Sequence, residues 1–402
     1  MKPSPLLVAA LALLLASYPV ARAALPTPGG APSAPRAAPA PARVPPVDPE
    51  IPVALLVDLS SGQTLFAREA ERRFVPASVT KIMTAYTAFK LIGSGHLDPG
   101  TTLVVSQEVD ERWSGEGSSM FLKAGERVTV GQLLLGVTTV SGNDAAAMLG
   151  IATTGSLDKW LALMNRNAAE LGMRDTHFGS PNGLPDEGRT YSSARDLATL
   201  AEAMTTRYPG LYRRYFGHRG MSYRNIAQVN HDPVTGVVAG ADGIKTGYTR
   251  EAGYTFVGSA RRGDRRLVIV LGGVPSARVR NQAARDLLNW GFEAFDSRVV
   301  LPRDATVGEA QVQDGAAWQV TLRTKGEVLA SLPQGTSLQA PRLSIRYRGP
   351  LAAPIAKGQD VAFLHVEIPG QAPHDVPLVA AEDVPEAGPL RRLINGVAGL
   401  LS

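Results

Sequence analysis

The chain has 402 residues, with 41 basic and 36 acidic side chains, 41 Gly, 30 Pro and no Cys. That length supports more than one folded domain, and 44% hydrophobic with 19% charged residues excludes a disordered or fibrous chain. The missing cysteine excludes a disulfide framework, a thiolate nucleophile and a thiolate-bound metal, and a formal charge of +5 gives no basis for nucleic-acid binding.

Lys2 precedes an apolar run over 6–16, and Ala21-Arg22-Ala23 puts small residues at the two positions a signal peptidase reads. Residues 1–23 are therefore predicted to be an export signal, the run being shorter than the roughly 20 residues of a spanning helix. An exported chain without cysteine suits a bacterial envelope. Nine of the 26 residues from 24 to 49 are Pro and Ala is the commonest of the others, a composition that stays extended and solvated. It reads as a linker rather than a ligand for a Pro-binding partner.

Val53–Asp58 and Thr64–Ala67 read as strands around the turn signal Ser60-Ser61-Gly62-Gln63. Pro76 introduces a helix over 78–91 that stops near Gly93, and further helices are predicted over 130–140 and 145–152. Ser193 is placed to cap a helix, with Asp196 favourable near its positive end. Residues 255–259 and 266–272 read as paired strands, and 283–295 as a helix presenting Leu287, Leu288, Trp290 and Phe295. Strands at both ends with helices between them predict an α/β or α+β body over 50–298. Alternation at Trp318, Val320 and Leu322, at Leu343, Ile345 and Tyr347, and over 361–368 predicts a small β domain over 299–382. In 389–402, Leu390, Leu393, Ile394, Val397, Leu400 and Leu401 form one stripe, with Arg391 and Arg392 off it. This amphipathic helix reads as an anchor lying in a membrane surface, the alternative being a helix packed on the β domain.

Three short motifs follow in order: Ser78-Val79-Thr80-Lys81, Ser141-Gly142-Asn143 and Lys245-Thr246-Gly247. Alone, none is specific: Ser156-Leu157-Asp158-Lys159 repeats the first spacing and Ser180-Pro181-Asn182 the second. Context separates them. On a helix, Ser78 and Lys81 share a face, so a hydroxyl and an amine come within hydrogen-bond reach as nucleophile and base. Burial beside Ile82 and Met83 would lower the proton affinity of Lys81, and the helix start offers free amides to an oxyanion. Ser156 is accounted for by a capping role. The histidines show no metal-ligand spacing and no phosphate loop follows a strand, so neither metal nor cofactor is expected.

The order and separation of these motifs resemble the serine penicillin-binding proteins. The resemblance extends through Pro76–Thr84, Gly117–Leu122, Ser141–Ala145, Tyr191–Asp196 and Asp242–Thr249, and is similar to the low-molecular-mass D-alanyl-D-alanine carboxypeptidases of serine peptidase family S11. It covers about residues 51 to 295, and the β domain and tail match that family's layout. It implies a transpeptidase-like domain of antiparallel sheet, flanking helices and a helical subdomain, with a small all-β domain after it. Ser78 would attack the carbonyl between two terminal D-alanines of a peptidoglycan stem peptide, with Lys81 as general base, and β-lactams would acylate the same serine. Ser141 would relay a proton to the leaving amine, and Asn143 would hold Lys81 and the substrate. Lys245, Thr246 and Thr249 would receive the terminal carboxylate, and the amides of Ser78 and Tyr248 would form the oxyanion hole. Gly247 would keep the strand clear for substrate. The export signal and the amphipathic tail together predict residence in the bacterial periplasm, peripherally attached to the inner membrane.

Two departures stand out. Tyr248 replaces a histidine found in several members. An Asn-Arg-Asn stretch whose arginine aids carboxylate recognition in the family reads Asn230-His231-Asp232 here. Three other readings share the motifs: a D,D-endopeptidase cutting cross-links, a class A β-lactamase, and a non-catalytic envelope scaffold. The β-lactamase needs a glutamate between the second and third motifs, and Glu170 and Glu187 lack its surroundings.

Overall fold

A computed structural model describes residues 44–369 and 371–388. The predicted leader, residues 24–43 of the linker and the terminal helix over 389–402 lie outside the described residues.

Val53–Asp58 (β1) and Gln63–Arg68 (β2) pair as the turn signal indicated. After Pro76 the chain makes a 3-10 turn over Ala77–Thr80, and α1 (Lys81–Gly93) begins only then. The helix expected from residue 78 therefore starts with a tighter turn, in which residues i and i+3 eclipse. Ser78 comes to lie against Lys81 for that reason.

Next come β3 (Thr102–Val104), α2 (Gln107–Trp113) and β4 (Arg127–Thr129), with β3 and β4 paired. α3 (Val130–Thr139) opens on a capping box: Thr129 Oγ1 accepts from Gln132 N at 3.1 Å and Gln132 Oε1 from Thr129 N at 2.9 Å. α4 (Asn143–Thr154), α5 (Leu157–Glu170), α6 (Ala194–Arg207) and α7 (Pro209–Tyr215) complete the helical part. Ser156 and Ser193 cap α5 and α6 through their hydroxyls.

The hairpin β5 (Gly220–Tyr223) and β6 (Ile226–Val229) leads to three long strands, β7 (Ala241–Thr249), β8 (Gly253–Arg262) and β9 (Arg265–Val274). α8 (Ala277–Glu293) follows, starting well before residue 283 because Ser276 caps it. With the first hairpin these strands make an antiparallel sheet in the order β2-β1-β9-β8-β7. Strand side chains alternate between two covered faces. Val268 and Val270 join the helical core around α1, whereas Leu267, Ile269 and Leu271 pack with Leu287 and Leu288 of α8. Each such buried side chain contributes about 1.5–3 kcal/mol, so the sheet is held from both sides and β7 forms one edge.

The chain then enters an all-β part: β10 (Phe295–Leu301), β11 (Thr306–Gln313), β12 (Gln319–Thr324), β13 (Val328–Pro333), β14 (Arg342–Arg346), β15 (Leu351–Ala352), β16 (Asp360–Glu367) and β17 (His374–Ala380). β10 pairs with β13, the other six form a sheet in the order β14-β16-β17-β12-β11-β15, and both contribute to one core. A buried polar knot ties this part to the first hairpin. Asp58, fully buried, accepts from Arg265 Nε at 2.5 Å and from Ser331 Oγ at 2.7 Å, and Arg265 also donates to the carbonyls of Gly291 and Phe295. Among the described residues no helix is long and apolar enough to cross a membrane.

Candidate active site

The three motifs meet along the free edge of β7. Ser78 comes from the 3-10 turn, Lys81 from the first residue of α1, Ser141 and Asn143 from the junction of α3 and α4, and residues 245–249 from β7. Gly247 is what lets the strand lie this close. A Cβ there would strike Thr255 Oγ1 and sit 2.7 Å from the carbonyl oxygen of Pro76 and 3.0 Å from the amide nitrogen of Ser78.

Lys81 is fully buried, and its Nζ has three close oxygen partners: Ser78 Oγ at 2.9 Å, Asn143 Oδ1 at 2.7 Å and the Asn182 carbonyl at 2.8 Å. Burial holds its ammonium well below the usual lysine range; Lys245 pushes the same way and Asp144 opposes. A neutral amine has two hydrogens and one lone pair. Asn143 Oδ1 and the Asn182 carbonyl are pure acceptors and take both hydrogens, which leaves the lone pair for the Ser78 hydroxyl.

A cleft of about 470 Å³ opens over Ser78. Ser141, Asn143, Thr246, Gly247, Tyr248 and Thr249 line it, while Lys81 and Lys245 are buried and do not. Ser141 sits at φ +64°, and its buried Oγ has no hydrogen-bond partner among the described residues, an available group in the wall of the cleft that Ser78 also lines. Lys245 donates to the Thr246 carbonyl at 2.8 Å. Burial, aided by Arg280 and opposed by Asp232, pushes its amine down to about 7.

Two groups at the site went unread in the sequence. The Asn182 carbonyl belongs to Ser180-Pro181-Asn182, the second Ser-x-Asn. Its turn is seated by Gly183 at φ +77°, where a Cβ would collide with the Ala77 carbonyl. Arg280, on α8, lines the cleft near His231, Tyr248 and Tyr254. It is 6% exposed, lies 5.7 Å from the Tyr254 ring and has its Nε and Nη2 on Asn281 Oδ1 at 3.0 and 2.8 Å, with no ion pair among the described residues. Glu170 pairs with Lys90, and neither it nor Glu187 lines the cleft.

Comparison with known families decides among the readings. The family model for D-alanyl-D-alanine carboxypeptidase matches residues 42–275, and that for the penicillin-binding protein 5 C-terminal domain matches residues 295–386. The chain belongs to the D-alanyl-D-alanine carboxypeptidase family. D-alanyl-D-alanine carboxypeptidase DacF of Bacillus subtilis is 31% identical over 84% of this chain and 87% of its own. Penicillin-binding protein 5 of Haemophilus influenzae superposes with a TM-score of 0.70 at 29% identity, over 85% of this chain and all of its own. Penicillin-binding protein D2 of Listeria monocytogenes, solved with ampicillin bound, superposes with a TM-score of 0.56 at 26% identity, over 62% of this chain and all of its own. The expected fold, a transpeptidase-like domain followed by a small all-β domain, is borne out. So is the expectation of a serine-type carboxypeptidase among the penicillin-binding proteins.

Proposed function

We propose that the protein removes the terminal D-alanine from peptidoglycan stem pentapeptides through an acyl-enzyme on Ser78, and that penicillins acylate the same residue. The observation that carries this reading is the Ser78–Lys81 pair, 2.9 Å apart, with the other two contacts of Lys81 being acceptors. Ser78 Oγ attacks the carbonyl as its proton passes to Lys81 Nζ, and the amides of Ser78 and Tyr248 receive the oxyanion. As the C–N bond breaks, Ser141 gives its hydroxyl proton to the leaving amine and receives in its place the proton that Lys81 took from Ser78, which returns Lys81 to its neutral form. Water then hydrolyses the ester, Lys81 taking its proton and handing it to the departing Ser78 Oγ.

The terminal carboxylate enters a positive end of the cleft. Thr246 and Thr249 present hydroxyls, and Lys245 supplies charge from beneath the surface. Arg280, largely buried but lining the cleft, supplies the contact that the family's arginine would have made where His231 stands, its planar fork suiting a carboxylate. An arriving carboxylate also raises the proton affinity of Lys245, so substrate recharges the group that binds it.

Deacylation of a penicilloyl adduct is slow in this reading, because among the described residues no glutamate lines the cleft to activate water. Export through residues 1–23 and peripheral attachment to the inner membrane through 389–402 complete the proposal. Incubation with a muropeptide pentapeptide and with a cross-linked dimer tests it, together with intact-mass analysis after penicillin. Free D-alanine from the pentapeptide alone and a stable adduct on Ser78 are expected. Cleavage of the dimer only, or no adduct, would overturn the reading.

A further inference from the structure

Asp144 follows the second motif and belongs to none of the proposed steps, yet it is one of the most completely engaged side chains near the cleft. It is fully buried in the first turn of α4. Its Oδ1 accepts from Met120 N at 2.9 Å and Ala145 N at 2.8 Å, and its Oδ2 from Ser119 Oγ at 2.7 Å and Leu122 N at 3.0 Å. It forms no ion pair among the described residues. Three of its four donors come from one loop, wound around the carboxylate.

That loop is a wall of the site. Gly117 and Ser118 line the cleft, and the loop's carbonyls hold Asn143: Glu116 accepts from Asn143 Nδ2 at 2.8 Å and Ser118 from Asn143 N at 2.7 Å. Ser119 Oγ, besides donating to Asp144, accepts from Gly115 N at 3.0 Å and Phe121 N at 2.8 Å, closing the loop on itself. Gln228 of β6 adds one outer tie, to the Ser119 carbonyl at 3.0 Å. Asn143 in turn offers its Oδ1 to Lys81. A continuous set of contacts thus runs from Asp144 through the loop to the Asn143 amide and the amine beside Ser78.

We propose that Asp144 is a positioning residue for the acylation step: its carboxylate folds the 115–122 loop so that the Glu116 carbonyl fixes the orientation of the Asn143 amide, and with it the place of Lys81 Nζ. This rests on the reading of Ser78 and Lys81 as nucleophile and base. The requirement is for an acceptor-only group. An asparagine at 144 would turn an NH2 towards either two amide hydrogens or an amide and a hydroxyl, and a buried donor facing donors expels the loop.

The charge of Asp144 gives the role a signature that misfolding lacks. Lys81 is faced by Lys245 from β7 and Asp144 from α4; Lys245 is in turn faced by Arg280 and Asp232, and Asp144 also acts on Tyr223 of β5. Of these, Asp144 favours the protonated form of Lys81, and so does the acceptor Asn143 Oδ1. Removing the first and releasing the second both make Lys81 easier to deprotonate. The acidic limb of acylation therefore moves to lower pH while the plateau falls, two changes that a smaller folded fraction cannot produce together.

The test is the second-order rate constant for penicillin acylation of the full-length chain against pH, in the native protein, Asp144→Asn, Asp144→Glu and Ser119→Ala. Folded fraction is followed by circular dichroism. The expected result is a plateau lowered by about 10- to 100-fold in Asp144→Asn with its acidic limb displaced downward, and recovery of the limb in Asp144→Glu. Should Asp144→Asn fail to fold, Ser119→Ala carries the test; it keeps the charge and loses the loop's hydroxyl, so a plateau lowered by about 3- to 10-fold with an unmoved limb is expected. Native rates and an unmoved limb in Asp144→Asn, or a native plateau in Ser119→Ala, would overturn the proposal. If the native protein forms no adduct on Ser78, the catalytic reading fails instead, which keeps the two failures apart.

Discussion

Ser78 Oγ and Lys81 Nζ stand 2.9 Å apart because the chain takes one 3-10 turn between Pro76 and α1. The amine at the end of that contact is fully buried, and its two other close partners can only accept. Replacing it with methionine fills the same space without a base. Lys81→Met is expected to fold, to be at least as stable as the native protein, and to acylate with penicillin about 10²- to 10⁴-fold more slowly. Rapid-quench mass spectrometry of the adduct measures the loss.

The two buried lysines set opposite limbs of the pH profile. Activity rises with pH as Lys81 loses its proton, and falls as Lys245, whose amine titrates at about 7 in the free protein, loses the charge that receives carboxylate. A bell-shaped kcat/KM is therefore expected, with its basic limb near 7. In kcat the basic limb moves to higher pH, since a bound carboxylate favours protonated Lys245. A substrate whose terminal carboxylate is an amide lacks the basic limb. Steady-state kinetics on both substrates across pH measures this.

Arg280 separates recognition from chemistry. Arg280→Ala is expected to raise KM for a D-alanine-terminated peptide by about 10- to 100-fold with a smaller effect on kcat, since a charge-assisted pair with the carboxylate is lost from both ground and transition states. Arg280→Lys recovers only part, because a point charge replaces a planar fork. Kinetics of D-alanine release checks both.

How far the sequence revealed these parts depends on what kind of atom carries them. Ser78, Lys81, Ser141, Asn143 and the β7 residues act through side chains or a distinctive glycine, so spacing and resemblance point to them. The Asn182 carbonyl carries no residue signature; any amino acid in that turn presents the same oxygen, and its spacing to Lys81 in sequence says nothing of the contact. Arg280 was hidden for another reason. On α8 it stands one turn before the apolar stripe over 283–295, and Ser276, which caps the helix and brings it in, has no Glu or Gln three residues on to mark it as a cap. The sheet was legible from β8 and β9, whose near-continuous apolar runs suit burial on two faces. The short α2 and α7 present too few turns for a period to emerge.

Gly247→Ala tests the close approach of β7. The added methyl meets Thr255 Oγ1 and the backbone of Pro76 and Ser78, so the strand moves away from the nucleophile and takes the Tyr248 amide with it. Acylation is expected to fall by about 10²- to 10³-fold, the loss of an aligned oxyanion donor, with overall stability little changed. Stopped-flow acylation and thermal denaturation separate the two effects.

The Asp58–Arg265 pair is a structural counterpart, with side chains 1% and 11% exposed. Asp58→Ala leaves the mostly buried Arg265 guanidinium without its carboxylate and Ser331 Oγ with only Ser61 Oγ to donate to, and is expected to destabilise the protein by about 3–5 kcal/mol. Chemical denaturation measures the change. D-alanine release by the protein that remains folded is expected to stay within about twofold of native, because the knot lies at the junction with the β part and not at the cleft.

The most direct measurement is the proton affinity of Lys81 itself. In protein labelled at the lysine side chains, with the Lys81 signal assigned by its absence in Lys81→Met, a pH titration followed by nuclear magnetic resonance reads its ionisation. Lys81 is expected to lose its proton well below the ordinary lysine value of 10.5, because burial disfavours its charged form. A Lys81 signal that remains cationic up to about pH 10 would contradict the account, since an amine already holding its proton cannot take another from Ser78.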